Sequence, residues 1–139
     1  MRLTGRCHCG DIRFELDWPD AAEIPARACD CSFCRAHGGL WTAHPQAALR
    51  VRLAAGARVQ DYEFGTRTAQ FRICGRCGVV PLVTSRIAGR LYAVVSVNTL
   101  EDLDPVRLRR MPVSFEGEDE ATRLARRTRN WIGEVEYPL

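Results

Sequence analysis

The residues of this chain best suited to chemistry are its seven cysteines, which fall into three short clusters. The clusters read Cys7-x-Cys9, Cys29-x-Cys31-x2-Cys34 and Cys74-x2-Cys77. An odd number of cysteines cannot pair completely into disulfides, and thiolates at such spacings are typical zinc ligands. Neither buried inert thiols nor a redox pair would explain why every cysteine lies in a cluster, and no βαβ pattern accompanies the CxxC motif. The spacing therefore predicts bound zinc.

The first and last clusters carry two cysteines each and can together supply a closed site. In Cys7-His8-Cys9, an extended backbone would send both sulfurs to one side and His8 to the other. The glycines of Cys74-Gly75-Arg76-Cys77-Gly78 favour a turn that presents two thiolates together. Joined, the two clusters give the four ligands of a structural zinc, which contributes on the order of 10 kcal/mol to folding.

The middle cluster is then left with three sulfurs, those of Cys29, Cys31 and Cys34. An incomplete tetrahedron is how catalytic zinc sites keep a position for water or substrate. Three alternatives remain open. His37, three residues after Cys34, could close the site as a fourth ligand. The first cluster could join the middle one instead, and four cysteines could hold an iron–sulfur cluster, although the longer ferredoxin-type runs are missing.

The segments that must position these clusters predict a mainly β fold with a few short helices. Alternating or β-branched runs predict strands at residues 12–16, 49–53, 58–64, 66–73, 79–84 and 91–97. A helical turn is expected within residues 29–39. A longer helix is expected over residues 121–129, with Leu124 and Ala125 facing inward and its arginines outward. The 139 residues are expected to form a single domain, 1–139.

Charge and hydropathy narrow the class of protein. The net charge of +3 is too small to favour nucleic acid, and Glu116, Glu118, Asp119 and Glu120 interrupt the arginines of the C-terminal part, which predicts a mixed-charge surface. All 20 basic residues are arginine, so any anion site must be built from guanidinium groups. No stretch approaches the roughly 20 apolar residues that cross a bilayer. No apolar secretory region precedes Cys7, which predicts a cytoplasmic protein with reduced thiols.

The three motifs, in this order, resemble the family of glutathione-dependent formaldehyde-activating enzymes, whose zinc-binding domain also occurs in the centromere protein V group. The matching segments are residues 5–10, 12–15, 29–35 and 71–78, within a motif core of residues 5–100. The resemblance implies a single Mss4-like β domain with two zinc ions. It implies structural zinc on Cys7, Cys9, Cys74 and Cys77 and active-site zinc on Cys29, Cys31 and Cys34.

The activity that the resemblance implies is addition of glutathione to formaldehyde, which gives S-(hydroxymethyl)glutathione and is classed as a carbon–sulfur lyase reaction. Zinc with three thiolates is a weak Lewis acid, better suited to keeping an incoming thiol deprotonated. We expect His37 or water to supply the proton to the new hydroxyl, and His44 to be a loop histidine. Arg35 is the first choice for a glutathione carboxylate, with a surface ion pair as its alternative role. The rival hypothesis is a non-catalytic zinc module that carries glutathione or binds other proteins.

Overall fold

The computed structural model describes residues 1–20 and 23–138, and these residues form eleven strands in two sheets. The strands are β1 (Arg2–Arg6), β2 (Ile12–Asp17), β3 (Ile24–Cys29), β4 (Leu40–Thr42), β5 (Ala48–Leu53), β6 (Val59–Tyr62), β7 (Gln70–Cys74), β8 (Leu82–Ile87), β9 (Arg90–Ser96), β10 (Leu108–Val113) and β11 (Glu134–Glu136). The helices are α1 (Ser32–His37) and α2 (Glu120–Asn130), with 3₁₀ turns at Val97–Thr99 and Pro105–Arg107. The prediction of a mainly β fold is confirmed.

The smaller sheet has the strand order β1-β2-β5-β11, and the larger has the order β10-β3-β4-β9-β8-β7-β6. Strand β10 pairs with β3 in parallel, as β11 does with β5, and the other pairings are antiparallel. The residues Ile12, Phe14 and Leu16 alternate on one side of β2 and are at most 2% exposed. They join one main core with buried residues of the larger sheet, such as Leu82 and Val95. Burial of that shared core holds the two sheets together.

A close approach in the smaller sheet gives a first testable prediction. Gly5 of β1 lies opposite Phe14 of β2, and a Cβ added at Gly5 would lie 2.2 Å from the nearest ring carbon. Because the Phe14 ring is buried and cannot swing into solvent, we expect Gly5→Ala to lower the free energy of unfolding by about 1–3 kcal/mol. Urea unfolding measures this change, with the exposed neighbour Thr4→Ala as the control. An unchanged midpoint for Gly5→Ala would show that the core can repack around the methyl group.

Several strand boundaries differ from those predicted. The predicted strand 66–73 begins only at Gln70, because residues before it form a turn in which Arg67 has a φ of 57° and its N–H donates to the Phe64 carbonyl. The predicted strand 79–84 begins only at Leu82. Pro81 has no N–H to donate, and the Val79 carbonyl accepts a hydrogen bond from the N–H of Cys74. Five strands lie outside every predicted segment: β1, β3, β4, β10 and β11.

The predicted helix over residues 121–129 is confirmed as α2, and Leu124 is half-buried, but the predictions for Ala125 and for one arginine are wrong. Ala125 is exposed, whereas Arg127 is only 7% exposed. The Arg127 Nη1 donates to the hydroxyls of Thr68, at 2.9 Å, and Ser85, at 3.1 Å. Burial lowers the pKa of Arg127 to about 10. These hydroxyl partners and the Trp131 ring, 5.0 Å away, offset the cost of burying the guanidinium. Neither helix in the described residues is long and apolar enough to cross a membrane.

Candidate metal centres

The first centre consists of the four cysteines of the first and last clusters. The sulfurs of Cys7, Cys9, Cys74 and Cys77 all lie within 4.8 Å of one another. The Cys9 sulfur is 3.8 Å from that of Cys7 and 3.6 Å from that of Cys74. Two of the four side chains, Cys7 and Cys74, are at most 1% exposed. A set of four converging thiols, largely shielded from water, fits a tetrahedral metal ion such as zinc.

The first pair of this centre converges by a different route from the one predicted. Cys7 and Cys9 do not lie in an extended segment, so that prediction is wrong. They follow β1 in a tight turn closed by the N–H of Gly10, which donates to the Cys7 carbonyl at 3.1 Å. The N–H of Ile12 then donates to the Cys7 sulfur at 3.3 Å, while His8 is exposed. The turn thus directs both sulfurs inward and leaves the histidine outside.

The second pair lies on a turn that follows β7. The N–H of Gly78 donates to the Cys74 carbonyl at 2.9 Å, and Gly78 has a φ of 80°, which favours glycine. The N–H groups of Arg76 and Cys77 point at the Cys74 sulfur, at 3.4 and 3.5 Å. Burial opposes ionisation of Cys77, but backbone N–H groups and neighbouring thiols lower its pKa to about 6. The turn is therefore arranged to stabilise negative charge on sulfur.

The second centre is local in the chain. The sulfurs of Cys29, Cys31 and Cys34 lie within 4.8 Å of one another. Cys29 ends β3, Cys31 is the N-cap residue of α1, and Cys34 lies one turn into that helix. The N–H of Cys34 donates to the Cys31 sulfur at 3.3 Å, as a capping hydroxyl would accept from a helix N–H. The helix start therefore fixes the relative positions of the second and third sulfurs.

Hydrogen bonds also set the charge on the sulfurs of the second centre. The neighbouring Cys34 thiol lowers the pKa of Cys29 to about 6, and the Cys29 thiol together with burial raises the pKa of Cys34. The Trp41 indole Nε1 donates to the Cys34 sulfur at 3.3 Å. Trp41 is a site residue that sequence reasoning missed, because only the short strand β4 brings it against α1. Three thiols, one already favoured as thiolate, fit zinc as an incomplete set of ligands.

No described histidine or carboxylate joins the three sulfurs of the second centre. The His37 ring instead has its Nδ1 2.6 Å from the Phe33 carbonyl. A carbonyl only accepts hydrogen bonds, so Nδ1 carries the proton of that contact and Nε2 is left for other partners. The structure therefore places His37 outside the group of three converging sulfurs.

The other two residues singled out by the sequence lie apart from the sulfurs. Arg35 is exposed in the last turn of α1, and its side chain makes no hydrogen bond or ion pair with any described residue. His44 accepts a hydrogen bond from the N–H of Gln46 at 3.1 Å and packs edge-on against Trp18. Such a turn-capping contact is what we expect of a loop histidine.

A cavity of about 770 Å³ lies between α1 and the first centre. Its walls include Phe33, His37 and Trp41 on one side and Val79 and Asn98 on another. The three sulfurs of the second centre do not line it, but Trp41 does, and Trp41 donates to Cys34. The volume suits a ligand of small-peptide size. Trp41 therefore connects this cavity, called the larger cavity below, with the second centre.

The fold and the two centres define a class: a mainly β protein whose two groups of cysteines could hold metal ions. The sequence model described as "Glutathione-dependent formaldehyde-activating enzyme" matches residues 2–113, and the chain belongs to this family. A crystal structure of a Rhodobacter sphaeroides protein is similar, with 35% sequence identity and a TM-score of 0.59. The similarity covers 78% of this chain and 97% of that one. The family match extends past the predicted motif core to the end of β10.

Proposed function

We propose that this protein catalyses the addition of a small thiol, most directly glutathione, to formaldehyde or another small aldehyde. One observation carries the proposal: the three sulfurs of Cys29, Cys31 and Cys34 converge, and no described histidine, fourth cysteine or side-chain carboxylate joins them. The family description supports glutathione and formaldehyde as the reactants. A purely structural centre would gain from a fourth ligand, as the first centre has. We place the reaction in the cytoplasm, where the substrate thiol and the cysteines of both centres stay reduced.

The ligand assignment that goes with this proposal uses all seven cysteines. We propose that the first centre holds a structural zinc ion through Cys7, Cys9, Cys74 and Cys77. We propose that the second holds an active-site zinc ion through Cys29, Cys31 and Cys34. When bound there, zinc would supply a position at which a thiol is kept as its thiolate at neutral pH. The four-to-three division of the sulfurs in space supports two unequal sites.

Groups of the protein itself orient the sulfurs of the second centre and would supply a proton during the reaction. The Cys34 N–H and the Trp41 indole each donate to a sulfur, which fixes the orientation of these side chains. In the reaction the thiolate sulfur forms a bond to the aldehyde carbon, the carbonyl π bond breaks, and the oxygen takes up a proton. His37 is our candidate for the proton donor. Its Nδ1–H is held by the Phe33 carbonyl, so the exposed ring, which lines the larger cavity, would take up a proton from solvent at Nε2 and pass it to the oxygen.

The rate of equilibration tests this function. Glutathione and formaldehyde combine without a catalyst, so an enzyme must speed the approach to equilibrium without moving its position. Exchange NMR of the hydroxymethyl signal measures that rate. We expect the zinc-loaded protein to accelerate exchange and Cys31→Ser to abolish the acceleration. A protein that binds glutathione but leaves the rate unchanged would be a carrier, which contradicts the proposal.

Substitution of His37 separates a proton donor from a metal ligand. We expect His37→Ala to keep the zinc content of the wild type and to lower the exchange rate by about 10²-fold. His37→Gln can still donate to the Phe33 carbonyl but cannot carry a proton, so it should be as slow as the alanine variant. Loss of one zinc ion from both variants would instead identify His37 as a ligand. A rate equal to that of the wild type would remove it from the mechanism.

A further inference from the structure

We propose that Arg27, rather than Arg35, binds a carboxylate group of the thiol substrate, in a second cavity lined by residues of β3, β10 and the segment after β4. The inference rests on the proposed function and names the residue that recognises the acidic part of the thiol. It starts from the position of Arg27 on β3, two residues before Cys29.

The alternation of β3 places Arg27 and Cys29 on the same face. Ile24 and Ala26, at most 2% exposed, point into the core, so the odd-numbered residues point to the opposite side. Residues two apart on a strand are separated by about 7 Å. In the neighbouring strand Trp41 lies opposite Arg27, and its indole donates to the Cys34 sulfur. Arg27 therefore shares a face with Cys29 and lies opposite the tryptophan that contacts Cys34.

The charge of Arg27 has no counterion among the residues that the structure describes. Its side chain is half-buried and makes no hydrogen bond or ion pair with any residue that the structure describes. By contrast, Arg123 and Arg126 both pair with Glu118, at 3.3 and 2.9 Å. A half-buried cation without a counterion is unfavourable by itself, and an anionic ligand would offset that cost.

The space next to Arg27 can accept such a group. A cavity of about 340 Å³ is lined by Arg27, Arg109, His44 and Asn130, among others. Glu23 supplies the one carboxylate among the described residues that line it, and this carboxylate already has Arg109 3.4 Å away. The lining thus offers a free guanidinium fork, which matches a carboxylate with two parallel hydrogen bonds. Arg35 is exposed and lines neither this cavity nor the larger one.

Calorimetry with glutathione and its diethyl ester tests the inference. The ester keeps the thiol but removes both carboxylate charges. We expect the zinc-loaded wild type to bind glutathione at least about tenfold more tightly than the ester. Arg27→Gln should remove this preference by weakening only glutathione. The matched control is Arg110→Gln, an exposed arginine one strand away that points to the opposite side, and it should keep the preference.

Arg27→Lys is the second variant, because it keeps the charge and the buried stem if glutamine disturbs the fold. It should lose part of the preference along with the bidentate fork. An undiminished preference in either Arg27 variant, its loss in Arg35→Gln, or no preference in the wild type would overturn the role of Arg27 while leaving the thiol site intact. If neither compound binds the wild type, the proposed function itself fails.

Discussion

Cys74→Ser should yield a chain that does not fold, whereas Cys31→Ser should yield a folded chain with about one zinc ion fewer. The reason is where each centre lies in the fold. The first centre joins a turn after β1, in the smaller sheet, to a turn after β7, in the larger one. A structural zinc contributes on the order of 10 kcal/mol, which equals the net stability of a typical domain. Without it the two sheets would be held together by their shared core alone.

The second centre has much less to hold together. Its three cysteines fall within six consecutive residues, and Cys31 is half-buried at the start of a helix of six residues. Removing its metal should loosen α1 and leave both sheets intact. Circular dichroism and metal analysis of the two purified variants measure the contrast, with Cys9→Ser and Cys29→Ser as matched partners. If Cys31→Ser unfolds the chain as badly as Cys74→Ser, the two centres do not have different roles.

The grouping of the cysteines could be predicted because each cluster is a local pattern, whereas the strands between them could not all be predicted. Strand β3 contains Pro25 and ends in Arg27-Ala28-Cys29, which are poor signals for a strand. It is extended because β4 and β10 pair with it, and β10 begins 79 residues after the end of β3. Pro112 is tolerated in β10 because that strand lies at the edge of its sheet.

The failure to predict β3 also explains why Arg35, and not Arg27, is the arginine that the sequence favours for a carboxylate. Arg35 is adjacent to Cys34 in the chain, so proximity along the sequence selects it. Arg27 approaches the centre only through strand alternation, and that depends on recognising β3 as a strand. The buried position of Arg127 could not be predicted from the sequence for a similar reason. Its partners Thr68 and Ser85 lie 59 and 42 residues away, and nothing in the helical pattern of α2 indicates them.

Binding of glutathione to the zinc-loaded protein should release about one proton, and S-methylglutathione should bind at least about 100-fold more weakly. The free thiol, with a pKa near 8.5, is mostly protonated at pH 7, whereas the form that binds at the second centre in our proposal is the thiolate. The apparent affinity should therefore rise about tenfold per pH unit below that pKa and level off above it. The methyl thioether has no proton to lose and cannot become an anionic ligand.

Titrations in two buffers of different ionisation enthalpy count the protons released at a single pH. Cys31→Ser is the control, because it removes one sulfur of the second centre and leaves the larger cavity and the first centre in place. In that variant the two ligands should bind with equal, weak affinity and release no proton, since only contacts with the cavity remain. Equal affinity of the two ligands for the wild type would contradict the proposal. If S-methylglutathione binds the wild type as tightly as glutathione, without proton release, the thiol does not reach the second centre and the proposed chemistry is wrong.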